Sequence, residues 1–261
     1  MATLAEPLPE PMPTLGRDDR FFLTMALVMM ALVFTGFSFH LAMGRSTFHR
    51  PLLIHLHAVT FMGWIVIYVL QNIFVTRGSM ALHRRLGWIG AGWIAAMIVL
   101  GTAVTVGMVQ RGAIPFFFYP LNFLIFDPMT VLTFAGLTWA AIAMRRRTDW
   151  HRRLHYCGTA MLMAPAISRL LPSPLLMPRA YEAAFLPVLI FPAIGIVADL
   201  RRGRRVHPAW WCGAAVMACS IIATELLTFS PAGTAIYRAV TAGTPGAAVP
   251  PLAFGSPPPA P

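Results

Sequence analysis

Seven stretches of this chain are apolar enough, and long enough, to fill the hydrocarbon core of a bilayer as helices. They run roughly Phe21–Met43, Leu52–Thr76, Leu86–Val109, Phe126–Met144, Leu154–Leu171, Ala183–Leu200 and Ala209–Phe229. A helix needs about 20 apolar residues to cross that core. Lipid offers backbone N–H and C=O groups no partner, so spans built from continuous apolar runs must be helical. The runs also lack the short-segment alternation of a β-barrel. The expected fold is an all-α, polytopic transmembrane bundle of about seven helices. Composition agrees: 57% of the 261 residues are hydrophobic, 11% are charged, and the mean hydropathy is +0.68.

A formal net charge of +11 invites a nucleic-acid reading, but its placement excludes one. All twenty Lys-or-Arg positions are arginine, and fourteen of them precede the first window or fall in the 2–3, 4–5 and 6–7 connections. Cytoplasmic loops carry such an excess, which predicts an N-in, C-out protein of the bacterial cytoplasmic (inner) membrane. The expected partners are the lipid bilayer and its anionic headgroups at the cytoplasmic face, with a homo-oligomer or a membrane partner left open. Cys157, Cys212 and Cys219 all lie in apolar runs and form no C-x-x-C pair. They read as small buried hydrophobes, not as a disulfide framework or a thiolate metal site.

Residues 1–20 read as a disordered cytoplasmic lead, 21–230 as the membrane domain, and 231–261 as a flexible Pro/Gly/Ala-rich extracytoplasmic tail. The aromatic segment Gly112–Phe126 contains Pro115 and Pro120, so it is expected in the outer interface and not in a continuous helix. Asp127-Pro128 reads as an N-cap with proline at the first helical position, starting the fourth helix.

Ionisable groups within spans are functional candidates, because exposing them to lipid is costly. His40, His57, Asp127, Arg169 and Glu225 all fall toward the outer ends of their windows. His57, Trp64 and Gln71 repeat every seven residues, within about 40° of one another around a helix. That stripe should face the bundle interior. His57, Asp127 and Arg169, with Gln71, His40 and Glu225, are therefore the expected outer polar cluster. Two copies of His-Arg-Arg-Leu, at 83–86 and 151–154, open the third and fifth windows from the opposite side. They read first as cytoplasmic interface anchors whose stems cover apolar surface.

These residues also carry a resemblance. His57-Ala58, Gly63-Trp64, Gln71, the LHRRLG run from Leu82 to Gly87, His151-Arg152-Arg153-Leu154 and Arg169 together resemble a family of uncharacterised bacterial multi-pass membrane proteins, over about residues 52–171. That family carries no established activity. The resemblance implies topology and a choice of site, and supplies no reaction.

Four functions fit this pattern. In a b-type haem or quinone-linked redox protein, His40 with His57 and His83 with His155 are candidate ligand pairs, while Arg84 and Arg169 would receive propionates. In a transporter or small-molecule-binding protein, the His57–Gln71 stripe with Asp127 and Arg169 lines an outer vestibule beside the proline-interrupted fifth and sixth helices. A metal-dependent hydrolase would use His83, His151 and His155, although no accompanying base stands out beyond Asp149. In a structural or accessory subunit, Gly87, Ala91 and Ala95 would let the third helix pack closely on a neighbour.

Overall fold

The computed structural model describes residues 16–256, and all regular structure among them is helical. Six helical units are long and apolar enough to cross a membrane. They are α1 (Arg17–Ala42), α2 (Leu52–Thr76), α3 (Met80–Gln110), α4 (Pro120–Ala143), the unit Ala180–Arg201 and α9 (Pro208–Thr228). The fifth of these comprises α7 (Ala180–Phe185), a 3-10 turn and α8 (Ile190–Arg201). Only 28–50% of each span's apolar window is buried within the protein. Large apolar side chains such as Val99, Trp139 and Leu226 point outward instead, each at least 66% exposed. A bundle in water would hide that surface; a bundle in lipid has no reason to.

The remaining sequence window is a broken element: α5 (Thr148–Met161) and α6 (Ala164–Leu170). Pro165 explains the break, since its ring conflicts with the carbonyl four residues back, at Met161, where α5 ends. The pair nevertheless runs alongside α1. Arg152 of α5 holds Asp18 in the first turn of α1, and Ala166 of α6 backs onto Gly36 near its other end. A Cβ on Gly36 would lie 2.6 Å from the Ala166 carbonyl oxygen, so this approach requires glycine.

Three sequence expectations change. Residues 17–20 form the first turn of α1 and residues 1–15 lie outside the described residues, so the expected disordered lead is not seen in the part described. Asp127 is not an N-cap: α4 begins at Pro120, and Asp127 and Pro128 lie within it. The segment beyond 230 was expected to be flexible, yet it carries α10 (Pro231–Thr241) and folds back through residue 255. Leu121 N–H donates to the Pro251 carbonyl (2.9 Å), Gly255 N–H to that of Phe116 (3.1 Å), and Phe254 stacks on Tyr119 at 4.1 Å. The aromatic run at 116–119 supplies the apolar surface that a Pro/Gly/Ala tail lacks.

The arginine-rich end is tied together by two carboxylates. Asp18 accepts from Arg152 (2.6 Å), Arg204 (3.0 Å) and Arg202, joining α1, α5 and the α8–α9 loop. Asp199 is 2% exposed and faces Arg153, itself 3% exposed, whose Nη2 lies 3.1 and 3.4 Å from its two oxygens. Asp199 lies in the last turn of α8, where the helix dipole opposes an anion. Arg153, the Trp210 indole N–H (2.9 Å) and the His207 backbone N–H (3.2 Å) offset that penalty. Arg85, at the equivalent position of the other tetrad, is exposed.

Removing one partner of a buried ion pair strands the other. Arg153→Met should therefore lose about 3–5 kcal/mol of stability, while Arg85→Met should change it by about 0.5 kcal/mol or less; thermal unfolding of the two detergent-purified variants checks this.

His207 caps α9, its Nδ1 accepting from Ala209 N–H at 3.2 Å, which requires an unprotonated nitrogen. Burial, and then the Arg153 charge, hold its imidazole below the usual histidine range. Such a group contributes stability that is whole above its unfolded pKa of about 6.5 and is lost as pH falls toward the lower folded value. His207→Asn keeps an N-cap that does not titrate. Its unfolding midpoint should match the parent near pH 7 and exceed it increasingly as pH drops to about 5.

Candidate functional site

A cavity of about 610 Å³ opens at the arginine-rich end between α1, α2, α3, α4 and α5. Its inner wall is formed by Trp64, Tyr68, Gln71, His83, His151 and His155, and Arg84, Arg145 and Arg152 stand among its lining. The site follows from helix phase. Trp64, Tyr68 and Gln71 are three or four residues apart, so they share one face of α2. His151 and His155 share one face of α5 for the same reason.

His155 packs parallel to Trp64, with ring centroids 6.0 Å apart and planes 16° apart, and lies 6.3 Å from Tyr68. His151 stands between the other two histidines, its centroid 5.2 Å from that of His155 and 6.2 Å from that of His83. Its Nδ1 lies 2.8 Å from the Ala141 carbonyl oxygen. A carbonyl only accepts, so the proton is on Nδ1 and, in the neutral ring, Nε2 keeps its lone pair. Gln71 Oε1, Thr138 Oγ1, Arg152 Nε, and Nδ1 of both His83 and His155 are buried without a hydrogen-bond partner. Buried polar atoms are rarely left so, and five on residues lining one cavity is a concentration of unsatisfied groups.

The expected outer cluster divides into three places. Arg169 lies within electrostatic reach of His57, Asp127 and His40, but among the described residues no hydrogen bond, ion pair or ring contact joins any two of the four. Among the described residues no ion pair joins Asp127 to Arg169. Asp127 instead lies 3.0 Å from the Thr105 hydroxyl, while Arg169 donates to the Pro165 carbonyl (2.7 Å) and sits 4.0 Å over the Phe37 ring. His57 stacks on Phe61 at 4.3 Å. Gln71 is elsewhere, in the chamber beside Gly87 of α3. Fourteen residues of helix separate it from His57, roughly 21 Å along the axis, with Trp64, 2% exposed, between them. Glu225 occupies a third place, beside Asn122 at 3.2 Å.

The inner candidates fare differently. His83, His155 and Arg84 all line the chamber, and the structure adds His151 as the central imidazole of the three. The i, i+4 spacing of His151 and His155 is the available sequence signal, and taken alone it suggests a metal-ligand pattern. Among the described residues, no group of three or more His, Cys, Asp or Glu side chains is disposed to hold a metal ion. Tyr68 and Thr138 carried no sequence signal at all, since a hydroxyl in an apolar run gives no clue to its depth.

Comparison with known proteins finds no matching family model, no matching curated protein and no matching solved structure.

Thr138 is fully buried with its hydroxyl unsatisfied, and valine has the same shape. Thr138→Val should leave stability unchanged or raise it by about 1 kcal/mol. A loss of stability on thermal unfolding would mean that the hydroxyl already has a hydrogen-bond partner.

Proposed function

We propose that the protein crosses the bacterial cytoplasmic membrane seven times, with the α5–α6 pair as the fifth pass and the arginine-rich loops inside. In this reading the inner chamber binds a flat, conjugated, cofactor-sized molecule, and the protein belongs to the b-type haem or quinone-linked redox class. The observation that carries it is the set of five unpartnered buried polar atoms on residues lining one cavity. The volume falls within the roughly 300–1,000 Å³ of small-molecule sites, which join apolar walls to a few convergent polar groups. Trp64, Tyr68 and His155 offer flat faces to a ring. The His151 Nε2 lone pair would serve as a ligand to haem iron or would accept a hydrogen bond from a reduced quinone. Arg84, hydrogen-bonded to Met80 O within α3, and Arg145, in the turn after α4 and hydrogen-bonded to Ile142 O, suit the carboxylates of a haem. The LHRRLG and HRRL resemblance supports the topology without adding a reaction.

Protein purified from membranes in mild detergent should carry a haem Soret band or an extractable quinone. His151→Ala should remove that occupant while the protein stays folded by circular dichroism. A colourless, quinone-free preparation that also takes up neither added haem nor a short-chain quinone overturns the reading.

The second reading is a transporter with an outer vestibule. It is favoured by one observation, the approach of His57, Asp127 and Arg169 without a direct ion pair between the charged two.

A further inference from the structure

At the end of the bundle away from the arginine-rich loops, a second cavity of about 260 Å³ opens between the start of α4, α7, the end of α9 and the C-terminal segment. It is independent of the inner chamber in position and in lining. Rings form much of its wall: Phe117, Phe118, Tyr119, Tyr181, Phe229 and Phe254. Tyr119 and Phe254 stack at 4.1 Å, and Phe229 meets Tyr119 edge-on at 6.0 Å. Phe254 closes the ring from the segment that folds back over residues 116–121.

Three charged side chains also line the cavity. Arg179 is 79% exposed and pairs at 3.1 Å with Glu182, so these two charges answer each other at the rim. Glu225 is left over. Its Oε1 accepts from the amide of Asn122, which is 3% exposed, and among the described residues no cation forms an ion pair with it. The cavity therefore joins aromatic faces to one carboxylate that stands in no ion pair, beside the mutually paired Arg179 and Glu182, so that its lining carries one net negative charge. A hard metal ion would need six or so oxygen ligands around it, and these walls are mostly carbon. A quaternary ammonium has no N–H to satisfy and is attracted both by ring faces and by a single negative charge. The volume lies just under the roughly 300 Å³ at which drug-sized pockets begin, which limits the occupant to a small metabolite.

We infer that this cavity binds a small quaternary ammonium cation, seated on the aromatic rings with its charge against Glu225.

Isothermal titration of the full-length protein in nanodiscs tests this with choline chloride and with choline's uncharged isostere, in which carbon replaces the nitrogen. Choline should bind saturably, and the isostere at least about tenfold more weakly. Glu225→Gln retains an oxygen for Asn122 but removes the charge, and should weaken choline binding by about tenfold or more. Phe254→Leu keeps an apolar side chain and removes a ring face, and should weaken choline more than the isostere. It lies near the C-terminus and outside the spans, so it decides the matter if Glu225→Gln does not fold. Haem or quinone content should be the same in both variants as in the parent. Absence of saturable choline binding at tens of millimolar, equal binding of the isostere, or choline binding unaffected by the variants overturns the inference.

Discussion

The contact on which this bundle most depends is the buried pair of Arg153 and Asp199. It joins α5, the first half of the broken α5–α6 element, to the end of α8 and the start of α9. An ion pair removed from water is costly unless its remaining hydrogen-bonding capacity is filled. Asp199 fills it with an indole N–H and a backbone N–H; Arg153 fills it in part, with Asp149 at 3.2 Å and the face of Trp210 at 5.5 Å, while its buried Nε has no partner. With Asp18 gathering Arg152, Arg202 and Arg204 beside it, this end of the bundle is held by charge where apolar packing alone would leave its register loose. The choice suits a membrane protein, because lipid weakens the apolar driving force that orders helices in water.

That lock places the inner chamber. α5 enters the bundle at a depth set by Arg152 and Arg153, so His151 and His155, on the adjoining face, are carried toward α2 and α3. Gly87 on α3 leaves room for Gln71: a Cβ there would come within 3.3 Å of its amide nitrogen. The break before α6 then lets the chain bend so that Ala166 settles on Gly36. Polar side chains thus collect at both ends of the molecule, while the middle is closed by Trp64, Phe134 and Met97, each at most 2% exposed.

Much of the fold was legible in the sequence because membrane helices announce themselves by length and hydropathy. Five of the seven windows correspond closely to single long helices or end within a few residues of them. The fifth window did not, because hydropathy does not register a break that Pro165 makes in an otherwise apolar run. The C-terminal segment was misread for the opposite reason. Its composition cannot build a core alone, but Phe116 and Tyr119, far away in sequence, provide one for it to lie on. The candidate site was half legible. Seven-residue spacing in His57, Trp64 and Gln71 gives a shared helix face and says nothing about depth, so two separate sites were read as one. The twin His-Arg-Arg-Leu motif hid a division of labour: Arg153 is a buried structural cation, and Arg85 at the same motif position is exposed.

By itself the sequence determined that the chain is a helical bundle for a lipid environment, where the apolar helices end to within a residue or so, and at which connections the positive charge gathers. Those properties are local, set by the hydropathy of each segment and the backbone's need for internal hydrogen bonds. Tertiary structure alone decided which charges pair, which histidines share a cavity, and which polar atoms are left without partners. These depend on helix phase and depth relative to neighbours, and on bends such as that before Pro165, which no single segment specifies.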